Sequence, residues 1–379
     1  KRIRMGKIFT ALGLMSGTSG DGVDASIISS NGVDNYSNIL NKYFKYDQKI
    51  YEKLHYLKAK ISQLKDLKKN EKEIYSLEKD ITLFHAKVTN EILQSTDKNI
   101  DFIGFHGQTI YHNPLEKISK QIGDGNLLSQ LSKKKVIYNF RKNDIQNGGE
   151  GAPLAPIFHK LIVKQNKIDL PVCILNIGGI ANATLINDYD KDSFLSRDLG
   201  PGNCLIDEWV RNNIKKKFDF NGDIAKRGKI NDLILNQALE NFENRPNQKI
   251  SSFDVKDFSL GFVRGLDLDD GAATLTEFTA RIIGIELLNF LQDLKNKLCK
   301  ILICGGGRKN INLIDRIKNT MPKNLIIQPI DDYGVDGDYI ESEAFAYLAI
   351  RSFLNLPISF RNTTGCNVPT VGGKIVKNY

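Results

Sequence analysis

The chain has 379 residues, 41% hydrophobic and 26% charged, enough for two domains of roughly 100 to 200 residues, each with its own buried core. No run approaches the roughly 20 apolar residues of a spanning helix, and the five cysteines (Cys173, Cys204, Cys299, Cys304, Cys366) show neither a CxxC pair nor zinc spacing. The net charge of +9 comes from scattered lysines, with short runs at Lys133 to Lys135 and Lys215 to Lys217 but no arginine-rich or aromatic-interleaved patch; a reduced, cytoplasmic protein with no nucleic-acid or membrane partner is expected.

The basic start (Lys1, Arg2, Arg4, Lys7) before apolar Ile8 to Met15 imitates a secretory signal, but the run is short and lacks a small-residue cleavage pattern. The same texture resumes at Val23 to Ile28, so "GLMSGTSGDGVDASIISS" (13 to 30) reads as strand, small-residue turn, strand. Ile74, Leu77, Ile81, Phe84, Val88 and Ile92 then step by three and four, as a half-buried helix requires. A strand at Phe102 to Phe105 leads into "FHGQT", placing His106 and Gln108 at its end, and a strand at Val136 to Phe140 leads into "NFRKNDIQNGGEGAPLAP" with Arg141 and Asp144. Next come a helix at Pro153 to Val163, a strand at Val172 to Asn176, and "CILNIGGIANATLI" (173 to 186), which repeats the first strand-turn-strand device. "RDLGPGN" sets Asp198 at the end of a strand before a helix at Asn203 to Lys215, and a second helix covers Ala272 to Leu291. "KILICGGGRKNINLIDRI" (300 to 317) is strand, glycine triplet, helix; a strand at Leu325 to Gln328 and a helix at Tyr339 to Leu354 follow. The alternation argues α/β layers.

Successive backbone amides in a turn of small residues make a concave positive site for phosphate. In the first turn Ser16, Thr18 and Ser19 add hydroxyls, and Asp21 or Asp24 can orient Mg²⁺ or its waters. A plain hairpin turn is the alternative for any one of the three, but three in one chain favour phosphate. GxxxxGK[ST] is missing, and no GxGxxG opens a helix after a first strand. What remains is the two-lobed actin, Hsp70 and hexokinase layout, an α/β, ribonuclease H-like fold with an interlobe nucleotide cleft and a separate glycine loop for the adenosine. Asp198 can deprotonate a hydroxyl or water, or simply cap a helix or turn. His106 is a ligand or a structural histidine, Arg141 an anion clamp or a surface ion pair, and Glu341 a binding residue or a favourable first-turn acid.

"GLMSGTSxDGVDA", "GFHGQT", "FRxxDIxxGGxGAPLAP", "NIGGIAN", "DxGPGNxLxD", "CGGGRKN" and "GDYIExEAFAYLA" occur in that order between about Ile8 and Leu356, and on them the chain resembles the bacterial anhydro-N-acetylmuramic acid kinases. The tail "NTTGC…TVGGKI" also resembles the family's ending, where a last strand returns to the first lobe. The resemblance implies phosphorylation of the recycled cell-wall sugar 1,6-anhydro-N-acetylmuramic acid by ATP with Mg²⁺, in a homodimer. Asp198 would activate the water that opens the anhydro bridge, and the freed O6 would take the γ-phosphoryl. Gly17, Thr18, Ser19, Gly20, Asp21, Gly22, Val23 and Asp24 match the ATP segment; Asn176, Gly178, Gly179, Gly305, Gly306 and Gly307 belong to the other two nucleotide turns. Ser16, His106, Gln108, Arg141 and Glu341 would line the sugar and its lactyl carboxylate, and no residue is singled out for the metal.

The lobes are expected at 1–138 with 358–379, and at 139–357. Gly20, Leu199 and Glu150 stand where the family usually has Leu, Thr and Gln, which bears on rate and substrate preference rather than on class. A kinase of the same fold acting on a free hydroxyl, or a nucleotide-driven filament protein, are the rival readings; the site residues favour the first description over both.

Overall fold

The computed structural model describes residues 6–189, 193–245, 252–294 and 297–379, so that Lys1, Arg2 and Arg4 of the basic start lie outside the described residues. The first sheet begins with strands β1 (Phe9–Ser16), β2 (Gly22–Ser30) and β3 (Tyr36–Lys45), an antiparallel meander, and continues with β4 (Phe102–Asn113), β5 (Ile118–Ile122) and β6 (Lys135–Tyr138). β4 runs parallel to β1, β6 parallel to β4, and β5 folds back antiparallel on β4. The second sheet is built from β7 (Val172–Ile177), β8 (Ile180–Ile186), β9 (Phe194–Pro201), β10 (Cys299–Cys304) and β11 (Leu325–Pro329). Its order, β11-β10-β7-β8-β9, repeats the first: an antiparallel meander with two parallel strands added beside the meander's first strand. β12 (Lys374–Val376) returns to the first sheet and pairs antiparallel with β6, as the tail was expected to do. Twice-repeated ribonuclease H-like topology is the expected actin/hexokinase-like fold class.

Each sheet has its own core. In the first, Leu12, Leu14, Ile103 and Phe105 pack against Ile74, Leu77, Ile81, Val88 and Ile92 of the helix Glu71–Leu93, the face its three-and-four spacing predicted. Such side chains each contribute roughly 1.5–3 kcal/mol when fully buried. In the second, Cys173, Leu175, Ile301 and Ile303 pack against Ala280, Ile283 and Leu287 of the helix Leu268–Phe290.

The chain divides into Lys1–Ile168 with Tyr339–Tyr379, and Asp169–Asp338, so the first unit takes more of the chain than the expected 1–138 with 358–379. Long-range packing is the reason. The Gln165 side chain bonds both backbone groups of Tyr36, and Phe158 meets the rings of Tyr36 and Tyr347. The helix Ile340–Phe353 lies so close to β4 that a Cβ at Gly104 would collide with the Phe345 carbonyl. Its Ser342 bonds Ser26 of β2 at 2.6 Å, and buried Glu343 accepts from Asn38 and Asn41 of β3 at 2.8 and 3.1 Å.

Candidate active site

The turn between β1 and β2 shows its carbonyls to the protein. Gly17 O accepts from the Gly20 amide at 3.1 Å and from Nε2 of Gln108 at 3.0 Å, and Thr18 O accepts from Nζ of Lys58 at 2.6 Å. No acceptor among the described residues takes the Thr18 or Ser19 amide, and both residues are exposed. Donors therefore remain available on the outer edge of the turn, the arrangement a phosphate needs. Gly20 sits at φ +65°, where a side chain would also press on Leu54, so glycine suits this backbone despite the family's usual Leu.

Gly22 and Val23 are buried in β2, Val23 inside the core, so they hold the turn's exit strand rather than offer side chains to a ligand. Asp21 and Asp24 are half-buried. Burial, then Asp21 and Asp24, push the Tyr43 hydroxyl up to about 12, which places both carboxylates near that ring. The Ser16 hydroxyl points inward: Oγ lies 2.9 Å from the Tyr46 hydroxyl and 3.2 Å from Nε2 of His85. His85 donates Nδ1–H to the Ile81 carbonyl at 2.8 Å, so Nε2 is an acceptor and Ser16 bridges it to Tyr46. Burial pushes the His85 imidazole down to about 4. Ser16, buried here, thus ties the base of the turn to the core through Tyr46 and His85.

"FHGQT" lies inside β4 and not at its end. β1 pairs Leu14 with Phe105 but Met15 with Gly107, so His106 is the extra residue of a bulge, and Gly107 takes φ +76°. The bulge turns His106 toward Arg141, whose Nη2 donates to Nε2 at 3.1 Å, while His106 gives Nδ1–H to the Gly107 carbonyl at 2.8 Å. Burial, then the Arg141 charge, push His106 down to about 3, and the same two causes act on His112. Gln108 is fully buried, and its Oε1 has no partner among the described residues, an acceptor poised for a donor from outside the chain. Arg141 is half-buried at the start of the helix Lys142–Gln146. Asp144 is structural: it accepts from the Gly151 amide at 2.7 Å and the Thr364 hydroxyl at 2.6 Å, stitching this loop to the C-terminal tail. Glu150 gives its amide to the Thr364 carbonyl. Glu341 is half-buried in the first turn of Ile340–Phe353.

In the second unit the carbonyls of Gly178 and Gly179 receive the amides of Gly202, Asn203 and Cys204, so the β7–β8 turn is fastened to the start of the helix Cys204–Asn213. Asn176 accepts from the Cys304 thiol at 3.7 Å. The triplet after β10 divides by role: at Gly305 (φ +78°) a Cβ would strike Asn176, at Gly307 it would strike Ile177, and at exposed Gly306 it would meet nothing. Packing therefore demands two of these glycines, while the third leaves clearance on the outside. Arg308, with its side chain 9% exposed, fixes the triplet: Nε and Nη2 bond Asp331 at 2.9 and 3.0 Å, Nη1 bonds Asp338 at 2.5 Å and the Gly305 carbonyl at 3.1 Å.

Asp198 stands within β9, which continues to Pro201, and a bulge there pairs Asn182 with Asp198 but Ala181 with Gly200. It caps no helix among the described residues: the next one starts from Asn203, and Oδ2 of Asp198 accepts the Phe253 amide at 2.8 Å, from 55 residues away. Leu199 is fully buried in the apolar core, so packing takes up its departure from the family's Thr. Sequence reading missed Phe253, Arg308, Tyr46 and His85; only Arg308 left a trace, as one arginine in "GGGRKN" answered by the aspartates of "DDYGVDGD".

A sequence model of the anhydro-N-acetylmuramic acid kinase family matches residues 9–378. An anhydro-N-acetylmuramic acid kinase of Pelagibacter ubique is 57% identical over 375 residues, covering 99% of this chain and 100% of that protein. The one from Zymomonas mobilis is 38% identical over 371 residues, covering 96% and 99%. Among solved structures, a hexokinase from Schistosoma mansoni complexed with glucose aligns with TM-score 0.42 at 10% identity, over 90% of this chain and 85% of that one.

Proposed function

We propose, from the premise that the chain belongs to the anhydro-N-acetylmuramic acid kinase family, that it converts 1,6-anhydro-N-acetylmuramic acid, ATP and water to N-acetylmuramic acid 6-phosphate and ADP. Asp198 is the base. It takes a proton from water as the water oxygen bonds to the anomeric carbon, the bond from that carbon to O6 breaks, and O6 accepts the γ-phosphoryl while ADP leaves; the proton on Asp198 passes to solvent. One carboxylate suffices because phosphorus captures the leaving oxygen, so no second acid is needed. The observation that best supports this reading is the half-buried Asp198 carboxylate, held by the Phe253 amide on a strand whose neighbour β8 opens from the Gly178–Gly179 turn.

The Thr18 and Ser19 amides and hydroxyls and the clearance at Gly306 suit the polyphosphate and nucleoside of ATP. Asp21 and Asp24, crowding Tyr43, fit Mg²⁺, which keeps most of its waters and takes one or two carboxylates alongside phosphate oxygens; bound, it would neutralise phosphate charge. Arg141 and Glu341 are assigned to the sugar and its carboxylate, with His106 as a neutral acceptor that aims Arg141, and Gln108 as an acceptor for a sugar hydroxyl or amide. The same reading makes the protein a cytoplasmic homodimer. ADP release measured with the anhydro sugar and with free N-acetylmuramic acid tests it: turnover with the anhydro form is expected, and preference for the free sugar would assign the protein to kinases acting on an existing hydroxyl.

A further inference from the structure

Phe253 reaches Asp198 through its backbone, but what holds Phe253 is a set of side chains. Among the described residues, 252–254 have no regular structure before the short turn Val255–Asp257, so no hydrogen-bonded ladder holds Phe253 there. The Arg245 guanidinium lies 5.5 Å from the Phe253 ring centre and 3.8 Å from that of Phe242, and it donates to the Phe242 carbonyl at 2.8 Å. The Phe258 ring touches Phe253 at 5.5 Å and stacks on Phe242 at 6.3 Å. Arg245 also pairs with Oε1 of Glu286 at 3.7 Å, and Oε2 of the same carboxylate takes Nη2 of Arg197 at 3.2 Å. Arg197 precedes Asp198 in β9, so the contacts close a circuit: Asp198, Phe253, Arg245, Glu286, Arg197 and back to Asp198.

We propose that Arg245 is a positioning residue for the reaction, acting through Phe253 to hold the Asp198 carboxylate in one rotation. The proposal rests on the reading of Asp198 as the base. A base must point a lone pair along the line of proton transfer, and small misplacements are costly in rate. Arginine suits the task because its flat, always charged group stacks on two rings while pairing with a carboxylate, which a lysine cannot reproduce. The Glu286 and Arg245 side chains are only 17% and 23% exposed, so their pairing is less screened than one at the open surface.

The test is steady-state kinetics and pH profiles on the full chain and on Arg245→Met, Arg245→Lys, Phe253→Leu, Asp198→Asn and the double variant Asp198→Asn with Arg245→Met. Arg245→Met is expected to lower kcat roughly 10- to 100-fold with the KM for ATP unchanged, and Arg245→Lys to restore little. Losing the Phe253 amide removes a donor that favours the charged carboxylate, so the acid limb of kcat/KM moves to higher pH. In the Asp198→Asn background the methionine adds no further loss. Phe253→Leu keeps the ion pairs and shows the same pattern more weakly, which carries the test if Arg245→Met fails to fold. A kcat within twofold of the parent and an unmoved acid limb, in Arg245→Met or, if that variant does not fold, in Phe253→Leu, overturn the proposal while leaving the base reading intact. Substantial turnover in Asp198→Asn overturns the base reading itself.

Discussion

Nη2 of Arg141 donates to Nε2 of His106 at 3.1 Å, so a permanently charged guanidinium rests against an imidazole that stays neutral. His106 can do this only because its own proton sits on Nδ1, bonded to the Gly107 carbonyl. The pair converts a buried histidine from a titrating group into a fixed acceptor that aims a cation.

Stability should therefore depend on pH in a definite direction. His106 and His112 are pushed down to about 3, and His85 and His159 to about 4, by burial first, with the Arg141 charge adding to it at His106 and His112. In the unfolded chain these groups bind protons near pH 6.5. A depressed folded pKa gives stability that is complete above the unfolded value and lost as pH falls toward the folded one. Thermal melts should hold level from pH 8 to 7 and drop steadily from about pH 6.5 to 4; a melting temperature unchanged down to pH 4.5 would contradict this.

Asp198→Asn is expected to fold, because the amide oxygen still accepts from Phe253, yet to lose roughly 10²–10⁴-fold in turnover with ATP binding retained. Calorimetric titration of nucleotide together with an ADP-release assay separates the two effects.

The glycine triplet gives a sharper contrast. Gly307→Ala should lower stability by about 1–3 kcal/mol, since the new methyl meets Ile177. Gly306→Ala has open space and should melt like the parent while raising the KM for ATP severalfold. Equal behaviour of the two variants in melts would remove the distinction between packing and ligand clearance.

Arg308→Met should destabilise by about 1–3 kcal/mol, below the cost of breaking a fully buried pair, because Asp331 and Asp338 are 40% and 32% exposed and regain water. It should also raise the KM for ATP by releasing Gly305, without touching kcat at saturation. Urea denaturation and substrate titration measure the two parts.

Much of this was legible in the sequence because it is local. Strand-turn-strand devices, the spacing of Ile74 to Ile92, and the apolar run before the glycine triplet each reflect a periodicity of a few residues. The bulges at His106 and Leu199 were not, since a bulge exists only relative to the register of a partner strand. For the same reason both motifs were expected at strand ends and are found inside strands. The inward turn of Ser16 depends on Tyr46 and His85, 30 and 69 positions away, and the bond from Phe253 to Asp198 leaves no pattern in either segment. The boundary of the first unit moved because Phe158, Gln165 and Ser342 find partners on β2, β3 and the helix Ile340–Phe353, contacts made only once the chain has folded.

Isotope tracing reaches the central assignment most directly. With the anhydro sugar, ATP and ¹⁸O-enriched water, mass spectrometry of the phosphorylated product should find one heavy oxygen at the anomeric position and none in the phosphate. An unlabelled sugar carrying phosphate, or label confined to released inorganic phosphate, would contradict water attack at the anomeric carbon coupled to transfer onto O6.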